Sequence, residues 1–265
     1  MTFDSAALIG HTGFVGGNLA RQHAFDDFFN SSNIEQIAGR AFDLIVCAGV
    51  PAEKWKANAE PERDRLNITR LMSALERTEA SRVVLISTVD VFADPAGVDE
   101  ASPVPTESLQ PYGRNRRHLE EFVAARFDAT IVRLPGLYGP GLKKNAIYDL
   151  LHDKDTHKID SRAVFQFYGV GRLWRDLEVA LEYDLGVVHL ATPPVSVAAI
   201  ARTAFALDFT NEVAAKPARY DMRTRYAALF GGGGPHTREY IQTRDEELED
   251  IAAFVVAERG RGAHV

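Results

Sequence analysis

Ala6-Ala7-Leu8-Ile9-Gly10-His11-Thr12-Gly13-Phe14-Val15-Gly16 is the stretch that decides the fold. An apolar run stops at a glycine. Two further glycines follow at three-residue spacing, and a helix-like segment, Asn18 to Ala24, comes next. This reads as a first strand, a glycine-rich turn and a helix N-terminus, whose unpaired N–H groups and dipole favour an anion over the turn. Gly10 allows the tight turn, Gly13 lets a pyrophosphate approach the backbone, and Gly16 lets the helix pack close to the strand. The spacing is GxxGxxG rather than GxGxxG, so the position between strand and helix carries more of the argument than the glycines alone. The alternative is an ordinary glycine-rich loop of an α/β protein.

Outward from this turn, short apolar runs recur at 7–9, 44–48, 83–87, 130–134 and 187–191, with a second strand expected at 25–29. Such runs suit strands covered on both faces. Helical patterns lie between them. Residues 62–77 place Leu66, Thr69, Leu71, Met72 and Leu75 at helical spacing, and 112–126 place Leu119, Phe122 and Val123 on one face. Alternating strands and helices imply βαβ units with right-handed crossovers. Order weakens after Gly139. Gly231 to Pro235 reads as a flexible loop, and 244–258 as a last helix with an Ile251, Phe254 and Val255 stripe. The expected fold class is α/β, a Rossmann-type doubly wound parallel sheet. Residues 1–265 would form one domain, with stretches of about 141–172 and 193–240 forming a small substrate-covering region.

Composition narrows the function. The chain has 265 residues, 46% of them hydrophobic, enough for one sizeable core. A net charge of −7 argues against a general nucleic-acid or anionic-membrane binder. With one cysteine, Cys47, no internal disulfide forms. No leader-like start and no long apolar stretch is present, so the expectation is a cytoplasmic protein. The eight histidines show no metal-ligand spacing, so no metal is expected. Cys47 reads as a buried strand residue.

Three landmarks follow the glycine turn. Leu85-Ile86-Ser87-Thr88 ends a strand with two hydroxyls. Pro111-Tyr112-Gly113-Arg114-Asn115-Arg116 opens a helix with a tyrosine and sets a cation one turn later. Arg133-Leu134-Pro135-Gly136-Leu137-Tyr138-Gly139-Pro140-Gly141 runs from a strand into a Pro/Gly loop. In doubly wound sheets ligands sit outside the carboxyl ends of the strands, where all three fall. On these motifs the chain resembles the extended short-chain dehydrogenase/reductases of the NAD-dependent epimerase/dehydratase, nucleotide-sugar epimerase-like type, from Ala7 to about Ala191. The resemblance implies that Thr88 orients the substrate oxygen, with Ser87 as the neighbouring alternative, and that Tyr112 is the general acid/base. Arg116 stands where that family has lysine. A fixed cation lowers a tyrosine pKa, yet a planar, forked guanidinium does not replace an ammonium in shape. Tyr168 with Arg172, and Tyr240 with Arg244, share the spacing, so position in the fold must choose among them.

The resemblance also implies a cofactor-binding set: Gly10, Thr12, Gly13, Phe14, Val15 and Gly16 in the turn; Asn30, Ser31 and Ser32 after the second strand; Ala48, Gly49 and Val50 after the third; and Ser87 and Pro135. NAD sites usually carry an acid at the end of the second strand. Here the strand runs into Asn30-Ser31-Ser32-Asn33, which favours NADP over NAD, with Arg40 the nearest candidate clamp. Ser32 or Asn33 acting only as a helix cap is the simpler alternative. Gly136 stands where nucleotide-sugar enzymes often have Asn, and Tyr168 is followed by Gly-Val-Gly-Arg rather than their usual acids. Lys143, Lys144, Arg172, Arg175 and Arg219 are cations of the C-terminal half that suit a diphosphate or carboxylate, or simply solvent. The expected function is NAD(P)-dependent oxidoreduction, epimerisation or dehydration by hydride transfer at a carbinol carbon of a small, sugar-like substrate. Nucleic acid and membrane are not expected partners; a second copy of the chain, as a homodimer, is compatible. The rivals are a non-catalytic dinucleotide-binding sensor or partner-binding protein of the same fold, and a reductase of a non-sugar substrate.

Overall fold

The computed structural model describes residues 3–232, 234 and 237–262. In chain order its elements are β1 (Ala6–Ile9), α1 (Phe14–Gln22), β2 (Asp27–Phe29), β3 (Ala41–Cys47), α2 (Lys54–Ala59), α3 (Pro61–Glu76), β4 (Glu79–Thr88), β5 (Ala96–Val98), α4 (Pro111–Arg126), β6 (Ala129–Leu134), β7 (Gly136–Tyr138), α5 (Ala146–Leu151), β8 (Val164–Phe165), β9 (Phe167–Gly169), α6 (Leu173–Glu182), β10 (Val187–His189), β11 (Val195–Ser196), α7 (Val197–Phe205), β12 (Asp221–Met222) and α8 (Arg244–Gly262). One six-stranded sheet has the order β10-β6-β4-β3-β1-β2. β1 pairs in parallel with β2 on one side and β3 on the other, and β3 pairs in parallel with β4. The chain therefore reverses its direction of winding at β1, which makes the carboxyl ends of β1 and β3 the switch point where such sheets take ligands. This is the α/β, doubly wound class expected from the turn.

The chain divides into two compact units. The first holds residues 1–93, 102–133 and 171–188; the second holds 94–101, 134–170 and 189–265. In the first, Ala7, Ile9, Ile45, Cys47, Val83 and Leu85 project from one face of the sheet, as the two-residue period of a strand requires. Leu71 and Leu75 of α3 and Leu119 and Val123 of α4 cover that face. Each such side chain, fully buried, contributes about 1.5–3 kcal/mol. In the second unit Tyr138, Ile147, Phe167, Val195, Ile200, Ile251 and Val255 form a separate core. Stretches 141–170 and 193–232 lie there, whereas Gly171 and Arg172 lie in the first unit.

Three local expectations change. α1 begins at Phe14, four residues before the expected Asn18, because Gly13 already takes the extended backbone of an N-cap. β2 begins at Asp27 rather than Phe25; the Asp26 carboxylate takes the Ala6 N–H at 2.8 Å just before the ladder. On α3 the buried stripe is Asp64, Ile68, Leu71 and Leu75, while Leu66 is 63% exposed and Thr69 is exposed. The stripe departs from the expected one at its start, where Asp64 and Ile68 are buried in place of Leu66 and Thr69. In the 231–235 loop, Gly231 has φ 97°, and Gly233 and Pro235 lie outside the described residues.

Candidate cofactor and proton-transfer site

The glycine turn is built from close backbone approaches. Gly10 has φ +90°, donates its N–H to Phe29 O at 2.7 Å, and would place a Cβ 2.3 Å from Ala48 O. A Cβ on Gly16 would lie 2.2 Å from Gly10 O, and one on Gly49 would lie 2.8 Å from Ile9 Cγ2. These glycines let β1, α1 and the end of β3 converge. Gly13 differs. A Cβ there would meet only Gly10 O, at 3.3 Å, and Thr12 and Gly13 are exposed, with Phe14 and Val15 half-buried. The N-terminus of α1 has no side-chain cap and no acidic residue in its first turn. Its unpaired N–H groups and positive dipole end fit a pyrophosphate. Ala48, Gly49 and Val50, all half-buried, follow β3 immediately beside this turn.

The end of β2 folds into a self-contained turn. Asn33 Oδ1 accepts from Asn30 N at 2.7 Å, and Asn30 Oδ1 accepts from the N–H and hydroxyl of Ser32 at 2.8 and 2.6 Å. A short 3-10 helix follows from Ile34, but Asn33 makes no capping bond to it. Arg40 is committed elsewhere, forked on Asp27 at the start of β2. The cation at this turn is one that sequence reasoning missed. Arg70 of α3 donates from Nη1 to Ser31 O at 3.1 Å and from Nε to Glu35 at 2.8 Å. Arg77 reaches the same Glu35 at 3.1 Å. Hydrogen bonding to Arg70, ahead of the charges of the two arginines, holds the Glu35 carboxyl below its ordinary range. Two guanidinium groups against one carboxylate leave this corner positive.

Thr88 ends β4 and Tyr112 opens α4. The Thr88 side chain stands beside Tyr112, where it opposes the rise of the phenol pKa, and accepts from Asp90 N at 3.2 Å. Ser87, next along the strand, is engaged differently: its hydroxyl donates to Glu120 Oε1 at 2.5 Å. Arg133 closes that network, donating to Glu120 at 3.0 and 2.7 Å, with both charges buried. Gly113 permits the approach of α4, since a Cβ there would lie 2.0 Å from Asp90 O. Asn58 of α2 caps the arrangement by accepting from Tyr112 N at 2.9 Å. Pro135 follows β6 and belongs to the second unit.

Arg116 lies 3.8 Å above the Tyr112 ring centroid, a cation–π distance, rather than in line with its hydroxyl end. It pairs with buried Asp64 and donates from Nη2 to Pro51 O at 2.5 Å and from Nη1 to Tyr112 O at 3.3 Å. Asn115 also donates to Asp64, at 2.8 Å. The forked guanidinium is thus used as a brace between α3, α4 and the chain after β3. Burial pushes the Tyr112 phenol above its ordinary pKa; Asp90 adds to this, whereas Arg116, Thr88 and Lys54 oppose it. At neutral pH the group holds its proton.

The other tyrosine–arginine pairs are occupied. Tyr168 is fully buried in the second unit, and Arg172 pairs with Asp176 at 2.7 Å. Tyr240 donates to Asp221 at 2.6 Å. Cys47 is buried in β3, and burial raises its thiol to about 11. Gly136 has no room for a side chain: a Cβ would lie 2.7 Å from Gln166 O on β9's flank. Among the described residues no group of three His, Cys, Asp or Glu could hold a metal, and no helix is long and apolar enough to cross a membrane.

A family model described as the NAD dependent epimerase/dehydratase family matches residues 25–192. Among solved structures, dTDP-4-dehydrorhamnose reductase from Bacillus anthracis str. Ames, in complex with NADP, is 18% identical with a TM-score of 0.72, covering 97% of this chain and 99% of that one. A UDP-galactose 4-epimerase is 16% identical with a TM-score of 0.73 over 96% and 99% of the two chains. MoeE5 in complex with UDP-glucose and NAD is 17% identical with a TM-score of 0.66, again over 96% and 99%. At these identities the likeness is one of fold. A search of the curated proteins finds no match.

Proposed function

Because the chain belongs to the NAD dependent epimerase/dehydratase family, within the extended short-chain dehydrogenase/reductases, we propose that it catalyses oxidoreduction, epimerisation or dehydration at a carbinol carbon of a sugar-like substrate. The single observation that carries this is the placement of buried Tyr112, in the first turn of α4, with Thr88 at the carboxyl end of β4. The turn 10–16 would hold the pyrophosphate, with Ala48, Gly49 and Val50 beside it. A bound nicotinamide supplies hydride to a substrate carbon or accepts it. Thr88 orients the oxygen on that carbon, and Tyr112 gives that oxygen a proton or takes it back. The reduced product is an alcohol whose new O–H comes from Tyr112.

The cofactor is NADP(H) or NAD(H), and the positive corner at Arg70 supports NADP(H) binding at least as tight. The second unit is assigned to the substrate. Gly136 cannot carry the diphosphate-contacting Asn of related enzymes, so a sugar-like substrate held otherwise fits better than one gripped there. The locked geometry of Arg116 favours one second reading, a dinucleotide-binding protein without turnover. A panel of sugars, sugar nucleotides and small ketones, followed at the nicotinamide absorbance, decides between them. Turnover that falls at least a hundredfold in Tyr112→Phe, within the range of about 10²–10⁴ for a lost general acid, supports the enzyme. Equal turnover in Tyr112→Phe refutes the role of Tyr112, and no turnover with any compound favours the binder.

A further inference from the structure

Glu120 of α4 is fully buried, and both of its carboxylate oxygens accept two hydrogen bonds. Oε1 takes the Ser87 hydroxyl of β4 and Nε of Arg133 in β6. Oε2 takes Nη2 of Arg133 and, at 3.1 Å, Nη1 of Arg117. One side chain thus joins three elements of the first unit, α4 and the neighbouring strands β4 and β6. Apolar side chains of the same volume would join these elements about as firmly. What the forked pair adds is direction, because each donor must meet a set oxygen.

Direction matters most at the end of β4. Its register with β3 stops at Leu85, opposite Cys47, the last residue of β3. Ser87 and Thr88 run past that ladder. Side chains alternate along a strand, so holding the Ser87 hydroxyl on one face sets where Thr88 points on the other. The helix that carries Glu120 also carries Tyr112, two turns earlier and likewise buried. We infer that Glu120 is a positioning residue for Thr88 and Tyr112. Through Ser87 it ties the end of β4 to the helix that bears the tyrosine. Ser87 is the anchor of that tie and touches neither cofactor nor substrate. This rests on the reading of Thr88 and Tyr112 given above.

The test reads the approach of Thr88 to Tyr112 directly. The full chain is deuterated, with protonated threonine methyls and tyrosine rings. The nuclear Overhauser signal between the Thr88 methyl and the Tyr112 ring is assigned by its loss in Thr88→Ser and in Tyr112→Phe. Ser87→Ala removes the anchor without touching a charge and should lose most of that signal; Ser87→Thr, which keeps a hydroxyl there, should retain it. Glu120→Met combined with Arg133→Met exchanges the pair for apolar side chains. It should remain folded in a urea melt and still lose the signal. A signal equal to wild type in Ser87→Ala, or in the folded double variant, overturns the inference. A wild type without the signal instead fails the reading of Thr88 and Tyr112, and the inference falls with it. With any compound that the chain turns over, Ser87→Ala should lower kcat by about tenfold or more at little changed KM, since a misplacement of about 1 Å costs up to about a hundredfold. A raised KM at unchanged kcat would mean that Ser87 touches the substrate, and would also overturn it.

Discussion

At the scale of single residues, Arg116 shows how one substitution changes a role without moving a charge. A lysine in its place would offer a compact point charge; the guanidinium instead uses its fork to satisfy Asp64 and Pro51 O together. Both side chains of the pair are 5% exposed. Removing one partner of a buried pair leaves the other charge uncompensated, at a cost of about 3–5 kcal/mol. Arg116→Met should therefore lose stability of that order in urea denaturation. A loss under about 1 kcal/mol, the ordinary worth of an exposed pair, would mean that water reaches Asp64 and that the brace is not closed. Tyr112 and Thr88 were legible from sequence because strand ends and helix starts fix where they fall. Asn58 and Arg70 were not, since nothing near them in sequence marks the tertiary approach that gives them a partner. The one local signal was Gly113, whose missing side chain admits Asp90 O.

At the scale of elements, the chain repeatedly spends a buried polar group to fix an irregular junction. Gln166, between β8 and β9, accepts from Met222 N at 2.7 Å and donates to the carbonyls of Met222 and Thr192. Glu247, in the first turn of α8, accepts from Phe167 N in β9 at 2.9 Å. Burial raises the Glu247 carboxyl well above its ordinary pKa, against the pull of that hydrogen bond. The folded chain then binds a proton that the unfolded chain releases near pH 4.5, so stability is highest below that value and falls as pH rises toward the folded pKa. Glu247→Gln keeps the acceptor without the titration. Its melting temperature should exceed that of wild type at pH 8, with the gap closing toward pH 4.5. A gap of the same size at both pH values would show that Glu247 is not protonated in the fold. The apolar side of α8 was readable, with Ile251 and Val255 buried, because its spacing is regular. The α3 stripe was misread at its start because a buried aspartate took a position where a hydrophobic residue is expected.

At the scale of the molecule, the glycine turn announced a doubly wound sheet, and the observed order places β1 between β2 and β3 with the turn at the switch point. Strand positions followed from short apolar runs. The division into two units did not, because the second is assembled from three separated stretches whose two-stranded pairings leave little periodic trace. The central claim is that the turn at 10–16 holds a dinucleotide beside Tyr112, and calorimetric titration with NADP(H) and NAD(H) tests it most directly. The account predicts saturable binding of NADP(H), at least as tight as that of NAD(H). It also predicts a loss of at least about tenfold, or 1.4 kcal/mol, in Gly13→Val, whose branched side chain would stand in the exposed space over the turn. Absence of binding of either dinucleotide at millimolar concentration, or equal affinity in a folded Gly13→Val, would contradict it.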